Sequence, residues 1–97
     1  MKRQLRIRPA VRRDLDRLAK SFADAPPDVA EEMTRRIEQR LERLLRFPFM
    51  GRPYASGALR ETVVIYGKSS YLIRYRVTDD AIIITRIWHG KENRPRG

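Results

Sequence analysis

The segment Tyr71–His89 reads YLIRYRVTDDAIIITRIWH and contains two runs of β-branched and aromatic residues separated by Asp79 and Asp80. Two such runs on either side of a short polar break predict a β-hairpin. This is the strongest pattern in the sequence. The residues before it are expected to cover one face of the hairpin.

The register of this hairpin decides which side chains share a face, because successive residues of a strand point to opposite sides of the sheet. With the two aspartates as the loop, Tyr75 lies opposite Ile84 and Ile73 lies opposite Arg86. The predicted core face carries Tyr71, Ile73, Tyr75, Val77, Ile82, Ile84 and Trp88, together with Arg86. The other face is half apolar and half cationic and carries Leu72, Arg74, Arg76, Ile83, Thr85, Ile87 and His89.

An arginine on a core face requires a carboxylate partner, because a buried charge without one is costly. We therefore expect Arg86 to form a structural ion pair, with Glu61 across the sheet as the candidate partner. Tyr75 and Trp88 are large enough to fill core positions.

The 97 residues suffice for one domain with a single core, and we treat residues 1–97 as that domain. No segment has the ~20 apolar residues that cross a bilayer. The charged first residues are not followed by an apolar segment, so we predict a cytoplasmic protein without a signal peptide or a membrane partner. Cysteine is absent and histidine occurs once, so we expect no metal and no cofactor.

The chain contains 22 lysines and arginines against 12 acidic residues, which gives a net charge of +10. This surplus favours an acidic partner, either nucleic acid or an acidic protein segment. Most of the basic residues are arginines, which form bidentate contacts with phosphate or carboxylate groups. A genome rich in arginine codons would produce the same ratio, but it would not explain the net charge.

Two amphipathic helices are predicted in the first half of the chain. The first runs from about Pro9 to Phe22, with apolar residues at Val11, Leu15, Leu18, Ala19 and Phe22. Prolines separate it from a second helix, which runs from about Pro27 to Phe47. The apolar stripe of the second helix consists of Ala30, Met33, Ile37, Leu41, Leu44 and Leu45.

Strands are predicted before and after the helices. Gln4–Arg8 alternates as a short edge strand, and Leu59–Tyr66 alternates as the strand that precedes the hairpin. The aromatic residues of segment 47–57 indicate an ordered connection. The predicted fold is therefore α+β: a short N-terminal strand and an antiparallel two-helix hairpin packed on a C-terminal antiparallel β-meander.

Several short motifs occur in a fixed order along the chain: Phe47-Pro48 with Gly51-Arg52, Leu59-Arg60, Tyr71, Tyr75-Arg76-Val77 and Arg86-Ile87-Trp88-His89-Gly90. Together they resemble the RelE/ParE superfamily, the toxins of type II toxin–antitoxin systems. The likeness covers nearly the whole chain and agrees in length, element order and charge. It implies a toxin that an acidic antitoxin holds inactive in a hetero-oligomer.

The superfamily divides by target: RelE-like members cut mRNA in the ribosome without a metal, and ParE-like members inhibit DNA gyrase. RelE-like nucleases carry lysines and arginines where the resemblance places Val63, Ile65, Leu72 and Glu92. They also carry a tyrosine near the C-terminus, and no tyrosine follows Trp88 in this chain. The resemblance therefore favours ParE-like inhibition of gyrase.

RelE-like mRNA cleavage is the alternative, because some nucleases of the superfamily rely on a C-terminal histidine. His89 falls on the same predicted face as Arg74 and Arg76. Its imidazole would accept the proton of a ribose 2′-hydroxyl while the arginines stabilise the phosphate. A histidine at this position also suits a purely structural hydrogen bond at the strand end.

Arg60, Arg74, Arg76 and Lys91 are the predicted residues for binding the target or nucleic acid. Their cationic side chains suit phosphate or an acidic protein surface. Alternating arginines on a strand are also common on faces that only contact solvent.

Overall fold

The computed structural model describes residues 2–21, 23–55 and 57–92. It has α+β architecture, which confirms the predicted fold class. The elements in chain order are β1 (Gln4–Ile7), α1 (Pro9–Ser21), α2 (Pro27–Arg46), β2 (Arg52–Tyr54), β3 (Leu59–Tyr66), β4 (Ser69–Val77) and β5 (Ala81–His89).

The five strands form one sheet in the order β1-β5-β4-β3-β2. β3, β4 and β5 are antiparallel neighbours, as the predicted meander requires. β1 pairs with β5 in parallel, and β2 is a three-residue strand antiparallel to β3. The parallel pairing of β1 and the existence of β2 were not predicted.

The helices cover one side of the sheet, which we call the helix face; the opposite side is the far face. α1 lies against β5, and α2 crosses the sheet from β3 to β1. The buried core joins Val11 and Leu18 of α1 and Met33, Ile37 and Leu44 of α2 to the sheet residues Val64, Tyr71, Ile73, Tyr75, Ile82, Ile84 and Ile87. In the described part of the chain, neither helix is long and apolar enough to cross a membrane.

The predicted apolar stripe of α1 was partly wrong. Leu15 is 39% exposed and Ala19 is also exposed, whereas Asp14 is only 1% exposed. A carboxylate thus occupies a position on the buried side of α1 because it has hydrogen-bonding partners on β5. Phe22, the last residue of the predicted stripe, lies outside the described residues.

The pairing of β4 with β5 follows the predicted register near the turn and departs from it further along. Tyr75 lies opposite Ile84 as predicted. The next pair is Arg74 with Arg86, which leaves Thr85 as an extra residue on β5. An extra residue of this kind is a β-bulge, and it reverses the side to which all later residues of its strand point.

The bulge corrects the predicted faces of the last strand. Ile87 points to the helix face and is buried there at 1% exposure. Arg86 and Trp88 lie on the far face. Trp88 is nevertheless buried there, with 3% of its surface exposed. His89 lies opposite Tyr71 on the helix face, so it does not share a face with the arginines of β4.

Tyr75 fastens the connection between α2 and β2 to the core. Its hydroxyl donates a hydrogen bond to the Pro48 carbonyl at 2.8 Å and accepts one from the Gly51 amide at 2.9 Å. A Cβ at position 51 would lie 2.6 Å from this hydroxyl and 2.7 Å from the Glu61 carbonyl oxygen. Glycine is therefore required here by the close approach of three segments. These contacts and strand β2 hold the described part of the predicted connection against the sheet, and Ser56 lies outside the described residues.

Replacing Tyr75 by Phe should lower the free energy of unfolding by about 1–3 kcal/mol, because the Gly51 amide and the Pro48 carbonyl lose their buried partner. Urea denaturation of both proteins measures this difference. Tyr66→Phe is the matched control, because it removes the hydroxyl of a half-buried tyrosine and retains the ring. The Arg36 guanidinium lies 4.7 Å from the centroid of that ring. Equal losses in the two variants would contradict the assigned role of the Tyr75 hydroxyl.

Candidate functional site

Side chains of α1 complete the outer edge of β5. β1 pairs only with Ala81–Ile84, so the later residues of β5 need other partners on that side. The Asp14 carboxylate accepts the Ile87 amide at 2.9 Å, and the Arg17 guanidinium donates to the Ile87 carbonyl at 3.0 Å. These two bonds satisfy the backbone groups of Ile87 on the side facing away from β4, where β1 does not extend.

The same carboxylate is the centre of an ion-pair network. Asp14 accepts hydrogen bonds from Arg86 at 2.9 and 3.1 Å and from Arg17 at 2.8 Å. Arg17 also binds Glu92, which accepts the His89 amide at 2.7 Å. Arg86 therefore has a structural ion pair, but the predicted partner was wrong: the carboxylate belongs to Asp14 rather than Glu61.

The network changes the pKa of both carboxylic acids. Burial alone would raise the pKa of Asp14, but the hydrogen bonds from Arg86, Arg17 and the Ile87 amide lower it below its ordinary value. The hydrogen bond from Arg17 lowers the pKa of Glu92. Both groups are thus held as carboxylates by the folded structure.

Glu61 pairs with Arg74 on the far face. Both side chains are largely buried, and the guanidinium of Arg74 donates two hydrogen bonds to one Glu61 oxygen at 2.9 and 2.8 Å. The Arg74 guanidinium also lies 3.8 Å from the ring centroid of Tyr54 and 4.7 Å from that of Trp88. Arg74, a predicted binding residue, is therefore held by three neighbours inside the protein.

The other predicted binding residues lie in different surroundings. Arg60 is half-buried on the helix face and donates to the Gly51 carbonyl at 2.7 Å, which holds the same connection that Tyr75 fastens. Arg76 is exposed on the far face of β4, and Lys91 is exposed in the turn after β5. The structure does not bring these cations into one cluster.

His89 is half-buried at the end of β5. Its ring meets the Tyr71 ring edge-on at a centroid distance of 5.2 Å, and its Nδ1 accepts the Lys91 amide at 3.1 Å. The predicted constellation of His89 with Arg74 and Arg76 on one face does not form, since the bulge at Thr85 turns the histidine to the helix face.

A second group of cations, not singled out from the sequence, lies beside β3. We call it the α2–β3 surface: Arg36, Arg40, Arg43 and Arg46 of α2 line a cleft of about 460 Å³ together with Gln39, Glu42, Phe47, Val64 and Ile65. Arg40 donates to the Thr62 hydroxyl and to the Val63 carbonyl at 2.8 Å. Burial lowers the pKa of Arg40, and the neighbouring Arg43 lowers it further.

Large apolar side chains are exposed next to these arginines. Val63 and Ile65 of β3 are 39% and 64% exposed. Phe47, Phe49 and Met50 follow the end of α2 and are also exposed. The helical spacing of the arginines at 36, 40 and 43 was the sequence signal for this surface. The exposure of the β3 residues gave no signal, because their alternation is equally typical of a covered strand.

Comparisons with known proteins give matches over most of the chain. Residues 5–94 match the family model described as the ParE toxin of the type II toxin–antitoxin system, parDE. Toxin RelE1 of Caulobacter vibrioides is 35% identical over 83 residues, which are 86% of this chain and 88% of that protein. Toxin RelE3 of the same organism is 33% identical over 92 residues, 95% of this chain and 99% of that protein.

The small α+β fold with its basic surface and these matches define a toxin of the RelE/ParE superfamily. The chain belongs to the ParE toxin family of type II toxin–antitoxin systems. Within residues 2–21, 23–55 and 57–92, no three histidine or carboxylate side chains lie where they would hold a metal ion together.

Replacing Asp14 by Asn should lower the free energy of unfolding at pH 7 by about 2 kcal/mol, because hydrogen bonds to a charged group are lost and the arginines are only partly exposed. Asp16→Asn, on the exposed side of the same helix, is the control and should change stability little. Urea denaturation at several pH values measures both effects.

The difference between the wild-type protein and Asp14→Asn should shrink in acid. A lowered folded-state pKa gives stability that is present above the unfolded-state pKa of about 3.9 and lost as the pH falls through the folded-state pKa. A difference that stayed constant down to about pH 2 would show that the carboxylate charge does not stabilise the fold.

Proposed function

We propose that this toxin acts by ParE-like inhibition of DNA gyrase and that an acidic antitoxin holds it inactive in the cytoplasm. The observation that carries the proposal is the separation of the residues that cleavage would need. A nuclease must hold a phosphate and its acid and base within hydrogen-bonding distance of one another. Here the candidate histidine and the candidate arginines of β4 lie on opposite faces of the sheet.

In this chain, the positions that are cationic in RelE-like nucleases hold apolar or acidic side chains, which favours inhibition by binding over cleavage. Val63 and Ile65 present aliphatic side chains, and Leu72 is 3% exposed among its neighbours. Glu92 is an anion already paired with Arg17. None of these four side chains stabilises a pentavalent phosphate, which requires positive charge or hydrogen-bond donors.

An inhibitor has a less demanding requirement, since it needs only a complementary surface. Arg76 and Lys91 are exposed and reach a target without rearrangement of the protein. Arg60 and Arg74 already bind internal partners. We therefore propose that they contribute to target binding indirectly, by holding the surrounding surface residues in place. An acidic antitoxin matches the net charge of +10 and would form a hetero-oligomer with the toxin.

RelE-like, ribosome-dependent cleavage of mRNA by His89 is the second candidate. The names of the two relatives, Toxin RelE1 and Toxin RelE3, favour keeping it. In that case the imidazole would act as the base from the helix face, and its phosphate-binding partners would be residues other than Arg74 and Arg76.

Replacing His89 by Ala should leave toxicity intact, because the side chain accepts only a local hydrogen bond from the Lys91 amide. Expression of either protein should produce DNA damage signalling and altered plasmid supercoiling before translation stops. The antitoxin encoded beside the chain should suppress both. Loss of toxicity with antitoxin binding retained, together with cleaved mRNA in wild-type cells, would establish the nuclease instead.

Replacing Arg76 by Glu should weaken inhibition of purified gyrase by about tenfold, because reversing a contact charge introduces repulsion at the interface. Arg12→Glu makes the same change of net charge at an exposed position of α1 and should inhibit nearly as well as the wild type. A supercoiling assay with titrated toxin gives the two values. Equal weakening in both variants would show that only the overall charge matters.

A further inference from the structure

The cleft of the α2–β3 surface concentrates positive charge that the described part of the chain does not neutralise. Four arginines of α2 line the cleft, and among the described residues its lining includes one carboxylate, that of Glu42. Glu42 forms no ion pair with a described residue. Of the four arginines, Arg36 alone forms such a pair, with Glu32 on the preceding turn of the helix. The cleft therefore has a local surplus of cations.

Arg40 lies half-buried between α2 and β3 and has hydrogen-bond donors to spare. Its bonds to the Thr62 hydroxyl and the Val63 carbonyl both come from Nη1. A guanidinium has five N–H donors, and those on Nη2 and Nε have no acceptor in the described part of the chain. Burial and the nearby Arg43 both lower the pKa of Arg40, so an anion in the cleft would stabilise its charge.

The spacing of the arginines suits a compact ligand with several charges. Arg36, Arg40 and Arg43 follow one another at intervals of four and three residues, so they lie on the same side of α2. At 1.5 Å per residue they span about 10 Å along the helix. Guanidinium groups bind phosphate oxygens through paired hydrogen bonds. A short chain of linked phosphates would contact all three arginines at once.

The shape of the cleft also suits a small ligand. Its volume of about 460 Å³ falls within the range of about 300–1,000 Å³ that is usual for small-molecule sites. Phe47, which is 53% exposed, is part of the lining, and the Arg43 guanidinium lies 5.6 Å from its ring centroid. An exposed aromatic ring beside a cation offers a flat surface on which a nucleobase stacks.

We propose that this cleft binds an anion with two or more linked phosphate groups, which Arg36, Arg40 and Arg43 hold together. Free polyphosphate and nucleoside polyphosphates share this chemistry, and in the second case the base would lie on Phe47. The site is separate from the residues proposed to contact gyrase, so the inference does not depend on the target of the toxin.

An acidic protein segment is a less suitable occupant of the cleft. Side chains on one side of an extended segment recur every second residue, about 7 Å apart. Each carboxylate carries one charge, so such a segment would place about two charges along the 10 Å that the three arginines span. A triphosphate carries more negative charge within the same length.

Isothermal titration calorimetry of the full chain with sodium tripolyphosphate, and with ATP in the absence of divalent cations, tests the proposal. Salt at about 0.15 M screens charges that are more than about 8 Å apart. Arg40→Gln and Arg43→Gln should each weaken binding about tenfold, since each removes a hydrogen bond between charged groups. Arg12→Gln removes the same charge from an exposed position of α1 and should have little effect.

Phe47→Leu distinguishes the two sources of the ligand. Weaker binding of ATP with unchanged binding of tripolyphosphate would support a nucleoside polyphosphate. Unchanged binding of both probes would support free polyphosphate. Arg43 is exposed, so Arg43→Gln keeps the proposal testable if Arg40→Gln does not fold.

Three results would overturn the proposal. The first is that neither phosphate probe binds the wild-type chain at this salt concentration. The second is an equal loss of binding in Arg12→Gln and Arg43→Gln, which would show that only the overall charge matters. The third is that a glutamate-rich peptide with the same net charge as tripolyphosphate binds the cleft more tightly than tripolyphosphate does.

Discussion

The fold depends on one carboxylate, that of Asp14, buried between α1 and β5. It accepts the Ile87 amide where β1 no longer reaches β5, and it neutralises Arg86 and Arg17. An apolar side chain at this position would leave the buried Ile87 amide and the Arg86 guanidinium without their partner, and Arg17 would keep only Glu92 as a carboxylate partner. Asp14 thus provides the hydrogen-bond acceptor that a longer β1 would otherwise provide to β5. The same contacts hold α1 against β5.

The sequence was sufficient to predict the elements and the fold class. The hairpin follows from the two aspartates between β-branched runs, and β3 begins and ends at the predicted residues Leu59 and Tyr66. The two helices follow from their apolar spacing and from the prolines between them. These features are local, and each is encoded within a few consecutive residues.

The bulge at Thr85 was not predictable in the same way. Ile87 and Trp88 are both large and apolar, so either register places a suitable side chain in the core. Only the three-dimensional arrangement, in which the Ile87 amide meets a carboxylate from another element, selects between the registers. The assignment of His89 to a face depended on this choice and was wrong for that reason. The assignment of Arg86 to Glu61 was wrong because Arg74, which lies between them on the far face, pairs with Glu61, and Asp14 of α1 binds Arg86. The short strand β2 was missed because three residues containing a proline do not resemble a strand.

The surface chemistry divides the arginines into two groups that the sequence does not distinguish. Arg17, Arg74 and Arg86 hold the structure together through carboxylates, whereas Arg40, Arg43, Arg46 and Arg76 leave their charge available at the surface. An internal ion pair uses one cation for one carboxylate, so such pairs do not increase the surplus of 22 basic over 12 acidic residues. The charge that attracts an acidic partner is carried by arginines such as Arg43 and Arg76, which form no ion pair with a described residue.

The position of Trp88 gives the protein an intrinsic optical label. It is the only tryptophan in the chain, it is nearly inaccessible to water, and the guanidinium groups of Arg74 and Arg86 lie 4.7 and 4.8 Å from its ring centroid. Its fluorescence is therefore expected to respond to any molecule that disturbs those two cations on the far face. Because Asp14 of α1 holds Arg86, a separation of α1 from β5 should alter the emission as well.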